Sequence, residues 1–225
     1  MANNIYNTFI NVIENLKKDN NTKSIILVGS CAKKNLETDC NINDIDIFII
    51  VENQEKDQIR EIKFINDIEF DMNFISIKGS ENFIKDKTYF FLKLFEGKLL
   101  YDVNNIGKDI MNLCKVKYEE GPNKLSNKEK ILKKEQLLSD ISRLAYREEF
   151  DDFEYCFLIN IYLSKVIKLF YIINDKWLPK DKKLLKSLKE DDYTMYKLVC
   201  NVIGDNTYEN LMDVVKYSLK NKWDK

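Results

Sequence analysis

Residues 24–51 read SIILVGSCAKKNLETDCNINDIDIFIIV. A short apolar run ends at Gly29-Ser30, and a second apolar run opens with Asp44 and Asp46 alternating with isoleucine. On a strand, residues two apart project from one face, so the two carboxylates converge and repel unless a cation lies between them. A Gly-Ser turn beside such a pair points to metal-assisted phosphate chemistry.

Working outward, Ile5, Phe9, Ile10, Val12, Ile13 and Leu16 fall near helical spacing and predict a helix over 4–18. Residues 23–28 read as a buried strand ending at Gly29, 31–36 as a short helix, 37–43 as a polar loop and 45–51 as a second strand. Two further β-prone runs, 59–65 and 68–77, are separated by Asn66-Asp67, a pair suited to a hairpin turn. In the latter run Ile68, Phe70, Met72 and Phe74 take one face and Glu69, Asp71 and Asn73 the other. If that strand neighbours the one carrying Asp44 and Asp46, Asp71 completes a carboxylate triad.

Beyond Ser80 the spacing predicts helices over 89–97 and 106–116, then a polar break over 119–127 containing Gly121-Pro122. The domain boundary is placed there, giving an α+β domain over 1–118 and an all-α domain over 119–225. In the second, long periodic segments occupy 128–149 and 153–173, with shorter ones after Pro179.

Composition removes several chemistries. The 225 residues carry 36 Lys plus Arg against 37 Asp plus Glu, so no global charge draws the chain to nucleic acid or an anionic membrane. Histidine is absent, which excludes imidazole bases, Ser-His-Asp and Cys-His systems and histidine-ligated metals. The five cysteines are odd in number and form no C-x-x-C pair, which fits reduced thiols in a cytosol. Residues 1–9 have no basic region followed by an apolar run, so no secretory leader is expected, and no window is expected to approach the ~20 apolar residues of a membrane span. The expected setting is cytoplasmic, without membrane or nucleic-acid partners.

What remains is carboxylates, lysines, hydroxyls and hard cations. Phosphoryl and nucleotidyl transfer need negative charge neutralised at phosphorus, which two Mg²⁺ about 3.5–4 Å apart achieve when held by clustered carboxylates. Asp44, Asp46 and Asp71 can supply that cluster. Gly29 lets the backbone pass close to a triphosphate, and the Ser30 hydroxyl can donate to phosphate oxygens. Lys33 and Lys34 are within reach of phosphate by position, although lysines in polar loops are commonly just solvated. A calcium loop starting at Asp39, with Asn41 and Asn43, fails because its sixth position is Asp44, not glycine, and its twelfth is Ile50, not glutamate. Lys176, Lys180, Lys182, Lys183, Lys186 and Lys189 read as a solvated helix face. The aromatic sets Tyr89, Phe90, Phe91, Phe95 and Phe150, Phe153, Tyr155, Phe157 read as core. Asp140, Glu148 and Glu149, expected on the first long helix of the second domain, are candidate general bases.

The segments VGSCAKKNLETDCNINDIDIFIIV (28–51) and EFDMNFIS (69–76) resemble the DNA polymerase β-like nucleotidyltransferase superfamily. That signature is a Gly-Ser turn after the first strand, a spaced Asp-x-Asp and a third carboxylate. FLKLFEGKLLYD (91–102) and LFYIINDKWLPKDKKLLKSL (169–188) resemble small bacterial aminoglycoside- and lincosamide-type members. The chain departs from many of these in having Lys33-Lys34 where they carry Arg-Gly. The resemblance implies a mixed β-sheet with flanking helices, followed by a helical bundle that binds the acceptor. It also implies phosphate binding by Gly29, Ser30 and Lys33, and two Mg²⁺ on Asp44, Asp46 and Asp71. The implied activity is transfer of a nucleoside monophosphate, AMP from ATP, to a hydroxyl of a small molecule such as an antibiotic, releasing pyrophosphate. Two other readings stay open, an antitoxin acting on a protein partner and a non-catalytic nucleotide-binding module. A homodimer is compatible with all of them.

Overall fold

The computed structural model describes residues 2–38, 42 and 44–219, with the side chains of residues 2–4 excluded. The chain divides into two compact units, Met1–Glu120 and Gly121–Lys225.

The first unit opens with α1 (Ala2–Lys17) and β1 (Thr22–Val28), followed by β2 (Asp44–Val51), β3 (Gln58–Ile65) and β4 (Ile68–Ser76). It closes with α2 (Ile77–Lys85), α3 (Tyr89–Leu92), β5 (Lys98–Asp102) and α4 (Ile106–Glu119). The strands form one mixed sheet in the order β3-β4-β2-β1-β5, in which only the β2–β4 pairing is parallel. The period of two in the sequence sorts its faces. Ile25 and Leu27 of β1, Ile45, Ile47 and Ile49 of β2, and Phe70 and Met72 of β4 share a core with Phe9, Val12 and Ile13 of α1. On the other face α2 packs on β2 and β4, and α4 on β1 and β5. There Phe48 meets the rings of Phe90 and Phe91 at 6.3 and 6.1 Å. Asp44, two turns of the pleat earlier on this face, is exposed and Asp46 is half-buried.

The β3–β4 hairpin turns at Asn66 and Asp67, both left-handed (φ 51° and 62°), the pattern a two-residue turn between twisted strands demands. Asn66 Nδ2 also donates to Thr8 Oγ1 at 2.9 Å, fixing the hairpin tip to α1.

Several expected boundaries move. The strand expected through Ile77 stops at Ser76, because the Ser76 hydroxyl accepts from the Gly79 N–H and caps α2, a helix the periodicity did not separate. The helix expected over 89–97 is the four-residue α3 followed by a 3-10 turn, Lys93–Glu96. That expected over 31–36 is only a 3-10 turn, Cys31–Lys33. β5 was missed, since five residues with charged ends leave little pattern to read. Asp39, Cys40, Asn41 and Asn43 of the expected loop lie outside the described residues, and with them the calcium-loop ligands.

The second unit is helical, with α5 (Asn127–Ser142), α6 (Asp152–Ile173), α7 (Leu184–Asp191), α8 (Tyr193–Gly204) and α9 (Tyr208–Ser218). Ser126 with Glu129, and Asp151 with Glu154, form capping boxes at the starts of α5 and α6. The single helix expected over 128–149 ends at Ser142, so Glu148 and Glu149 stand on a separate 3-10 turn, away from the helix that carries Asp140.

The expectation that no segment is apolar enough for a membrane span fails at α6. Its 22 residues are long and apolar enough by length and composition. Within the unit α6 is the central core helix, burying among others Ile159, Leu163, Val166, Ile167 and Phe170 against α5, α8 and α9. Such a helix is apolar on most sides because neighbours surround it. At its start the aromatic expectation fails at Phe153 and Phe157, which are 89% and 66% exposed, and holds at Tyr155, which is buried, and at Phe150, which packs on the core. The six lysines from 176 to 189 are exposed as expected, but they do not share one helix face, since only Lys186 and Lys189 stand on α7.

Candidate active site

The sheet registers bring the acidic residues together. Parallel pairing of β2 with β4 sets Asp46 opposite Asp71 and Asp44 opposite Glu69. Antiparallel pairing sets Val28 opposite Asp46 on the β1 side. On the β3 side Ile62 lies opposite Asp71 and Phe64 opposite Glu69. β2 and β4 therefore carry an acidic strip, bordered by the Gly29-Ser30 turn on the β1 side and by β3 on the other.

Gly29 is required by this geometry. Its φ is +68°, and a Cβ there would lie 2.1 Å from Asp46 Oδ2. Any side chain would both strain the turn and displace the carboxylate. Ser30 follows in the exposed turn, and Lys33 is exposed at the end of the 3-10 turn.

Asp71 is embedded in a polar relay. Arg60 on β3 donates to it with both arms of its fork, Nε to Oδ1 at 2.8 Å and Nη2 to Oδ2 at 2.7 Å. Asn73 Nδ2 adds a bond to Oδ1 at 3.1 Å, and Gln58 Nε2 in turn donates to Asn73 Oδ1 at 2.6 Å. The bond to Asp71, and then its charge, raise the Arg60 pKa, so the guanidinium is a permanent cation here.

Cys31 lies under this site. Its buried thiol donates to the backbone carbonyl of Asp44 at 3.2 Å, and burial above all raises its pKa. Burial alone pushes Cys114 up to about 12. Both thiols remain protonated near neutral pH, when only thiolates react. At pH 8 a thiol reagent is expected to label the exposed Cys156 and Cys200 and to spare Cys31 and Cys114 until the protein is unfolded, as peptide mass mapping would show.

A hard divalent cation suits these donors, because they are carboxylate oxygens on adjacent strands and the Cys31 thiol is turned to a carbonyl. Among the described residues, no three His, Cys, Asp or Glu side chains are gathered into a metal-holding group. Asp71 is directed to Arg60 instead.

Arg60 and Gln58 were not identified from the sequence, and Asn73 was placed on the Asp71 face without a role. The signal was present in the Asn66-Asp67 turn, which sets the register opposing Arg60 to Asn73 and puts Gln58, Arg60, Ile62 and Phe64 on the carboxylate face. Ile62 and Phe64 are 48% and 72% exposed there.

A mixed five-strand sheet with flanking helices, carrying a glycine turn beside strand-borne carboxylates, is the nucleotidyltransferase fold. Residues 10–101, spanning every one of these site residues, match the family model described as "Nucleotidyltransferase domain". Among solved structures the chain is similar to a nucleotidyltransferase-like protein from Exiguobacterium sibiricum 255-15. The two are 12% identical with a TM-score of 0.48, over 95% of this chain and 72% of that one. No match was found among curated proteins.

Proposed function

We propose that this chain is a metal-dependent nucleotidyltransferase that moves AMP from ATP to a hydroxyl of a small acceptor, releasing pyrophosphate. The observation that carries this reading is the placement of Asp71 opposite Asp46, with Gly29 packed against the Asp46 carboxylate. Asp44, Asp46 and Asp71 would hold the divalent cations. When bound, these neutralise the charge that develops around the attacked phosphorus.

The protein's own groups define the direction of transfer. Gly29 presents backbone without a side chain, the Ser30 hydroxyl donates to phosphate oxygens, and Lys33 offers a counter-charge. These place the triphosphate and the departing pyrophosphate on the β1 side. In-line displacement then requires the acceptor hydroxyl to enter from the opposite side, over β4 and β3. The surface there combines the apolar Ile62 and Phe64 with the acidic Glu69. That suits an acceptor with an amine and an apolar face, a description that includes aminoglycoside and lincosamide antibiotics, for which the activity would confer resistance.

Incubation with labelled ATP, Mg²⁺ and a panel of hydroxylated antibiotics and metabolites is expected to yield a nucleotidylated product and an equal amount of pyrophosphate. ATP returned unchanged with every acceptor would count against the proposal. Once an acceptor is known, Phe64→Ala should raise its KM about tenfold, the worth of one large apolar contact, and leave the KM for ATP unchanged. A change confined to the ATP term would place the acceptor elsewhere.

A further inference from the structure

We propose that Arg60 is a built-in counter-cation that competes with the divalent metal for Asp71 and withholds this carboxylate until metal displaces it. The inference rests on the reading that Asp46 and Asp71 hold a cation, and goes beyond it by assigning a function to a residue on the neighbouring edge strand.

Three observations support it. First, Arg60 engages both oxygens of Asp71, at 2.8 and 2.7 Å, so the atoms that a metal would need are already committed to a cation. Bidentate arginine–carboxylate pairs are stronger and more directional than a lysine contact. Second, the pair is unequal in exposure: the Asp71 side chain is 15% exposed and that of Arg60 56%. Asp71 is held in place, while the half-exposed guanidinium regains full hydration when it swings out into water, so Arg60 is the partner able to yield. Third, the Gln58–Asn73 relay holds Asp71 in the orientation that Arg60 uses, with Asn73 bonded to Asp71 at 3.1 Å and to Gln58 at 2.6 Å. An ordinary surface ion pair has no such supporting bonds and is commonly worth little.

Because a guanidinium keeps its proton throughout the working range, Arg60 itself adds no pH dependence to the competition, which is set by metal concentration. Its consequence is a threshold. Asp44 and Asp46 repel each other on one strand face and invite a cation, but the third carboxylate joins only when the metal outcompetes Arg60. Arg60 is thus a positioning residue acting through Asp71.

The test is Mn²⁺ binding to the nucleotide-free protein, measured by calorimetry and by the loss of the free-ion paramagnetic resonance signal. Arg60→Gln is expected to bind Mn²⁺ about tenfold more tightly than the parent, the scale of one lost charge-assisted contact. Arg60→Lys, which keeps charge without the fork, should fall between them. Lys63→Gln removes an equal charge from the opposite face of β3, where Lys63 pairs with Glu61, and should leave affinity unchanged. Adding Asp71→Asn to Arg60→Gln should cancel the gain.

Equal tightening in the Arg60 and Lys63 variants would overturn the proposal, since bulk charge would then account for it. So would an Arg60→Gln affinity at or below the parent's when Asp71→Asn alone weakens binding, and in that case the metal reading stands. Mn²⁺ binding indifferent to both Asp46→Asn and Asp71→Asn would instead overturn the underlying function. Thermal melts of each variant separate these outcomes from misfolding.

Discussion

Asp46→Asn is expected to reduce metal-dependent nucleotidyl transfer by at least about 10³-fold, the scale seen when charge stabilisation is removed from a transition state. The substitution preserves size and leaves intact the backbone ladders that β2 makes with β1 and β4. It also removes one of two like charges from a single strand face, so the folded state loses little and its melting temperature should stay within a few degrees. Pyrophosphate release with Mg²⁺ and acceptor, read beside a thermal melt, checks both halves. Turnover within tenfold of the parent in a stably folded variant would remove Asp46 from the proposed machinery.

Gly29→Ala should be damaging in two ways at once. A left-handed φ of +68° costs an alanine about 1–2 kcal/mol, and the new Cβ would stand 2.1 Å from Asp46 Oδ2, so the carboxylate has to move. Misplacing a catalytic group by about 1 Å costs on the order of 10²-fold in rate. Gly121 provides the control, with a φ of +79° and nothing within 4 Å of its missing Cβ. Gly121→Ala should therefore lower stability by a similar backbone increment and leave turnover intact. If the two variants lose activity equally, strain and not the Asp46 contact is responsible.

Much of the first unit was legible because its signals are local. Alternation put Asp44 and Asp46 on one face of the strand read over 45–51 and sorted residues 68–74 of the run over 68–77, and burial of Ile45, Ile47, Phe70 and Met72 in the core shared with α1 agrees with that sorting. The Asn66-Asp67 pair identified the hairpin because Asn and Asp tolerate the left-handed conformation that a type I′ turn needs at both central residues. Where the sequence misled, competing local chemistry was responsible. Ile77 reads as one more strand residue until the Ser76 hydroxyl, at the end of β4, is seen capping α2, and α6 passes for a membrane span by length and composition while serving as the core helix of its unit. Phe153 and Phe157 carry the apolar character of core residues and yet lie exposed near the start of α6.

By itself the sequence determined the kinds of group available and the face on which each would lie. A chain without histidine but with Asp44, Asp46 and Asp71 at strand positions and glycine-serine after β1 offers hard oxygen ligands beside a close-approach turn. Tertiary structure decided which of these groups meet. Periodicity assigns a residue to a face but does not choose the neighbouring strand. It was the parallel pairing of β2 with β4 that set Asp71 opposite Asp46. The hairpin then brought Arg60, eleven residues away in sequence, into contact with the same carboxylate. Those contacts depend on long-range strand order, which arises from packing of the whole sheet between α1 and the helices of its other face.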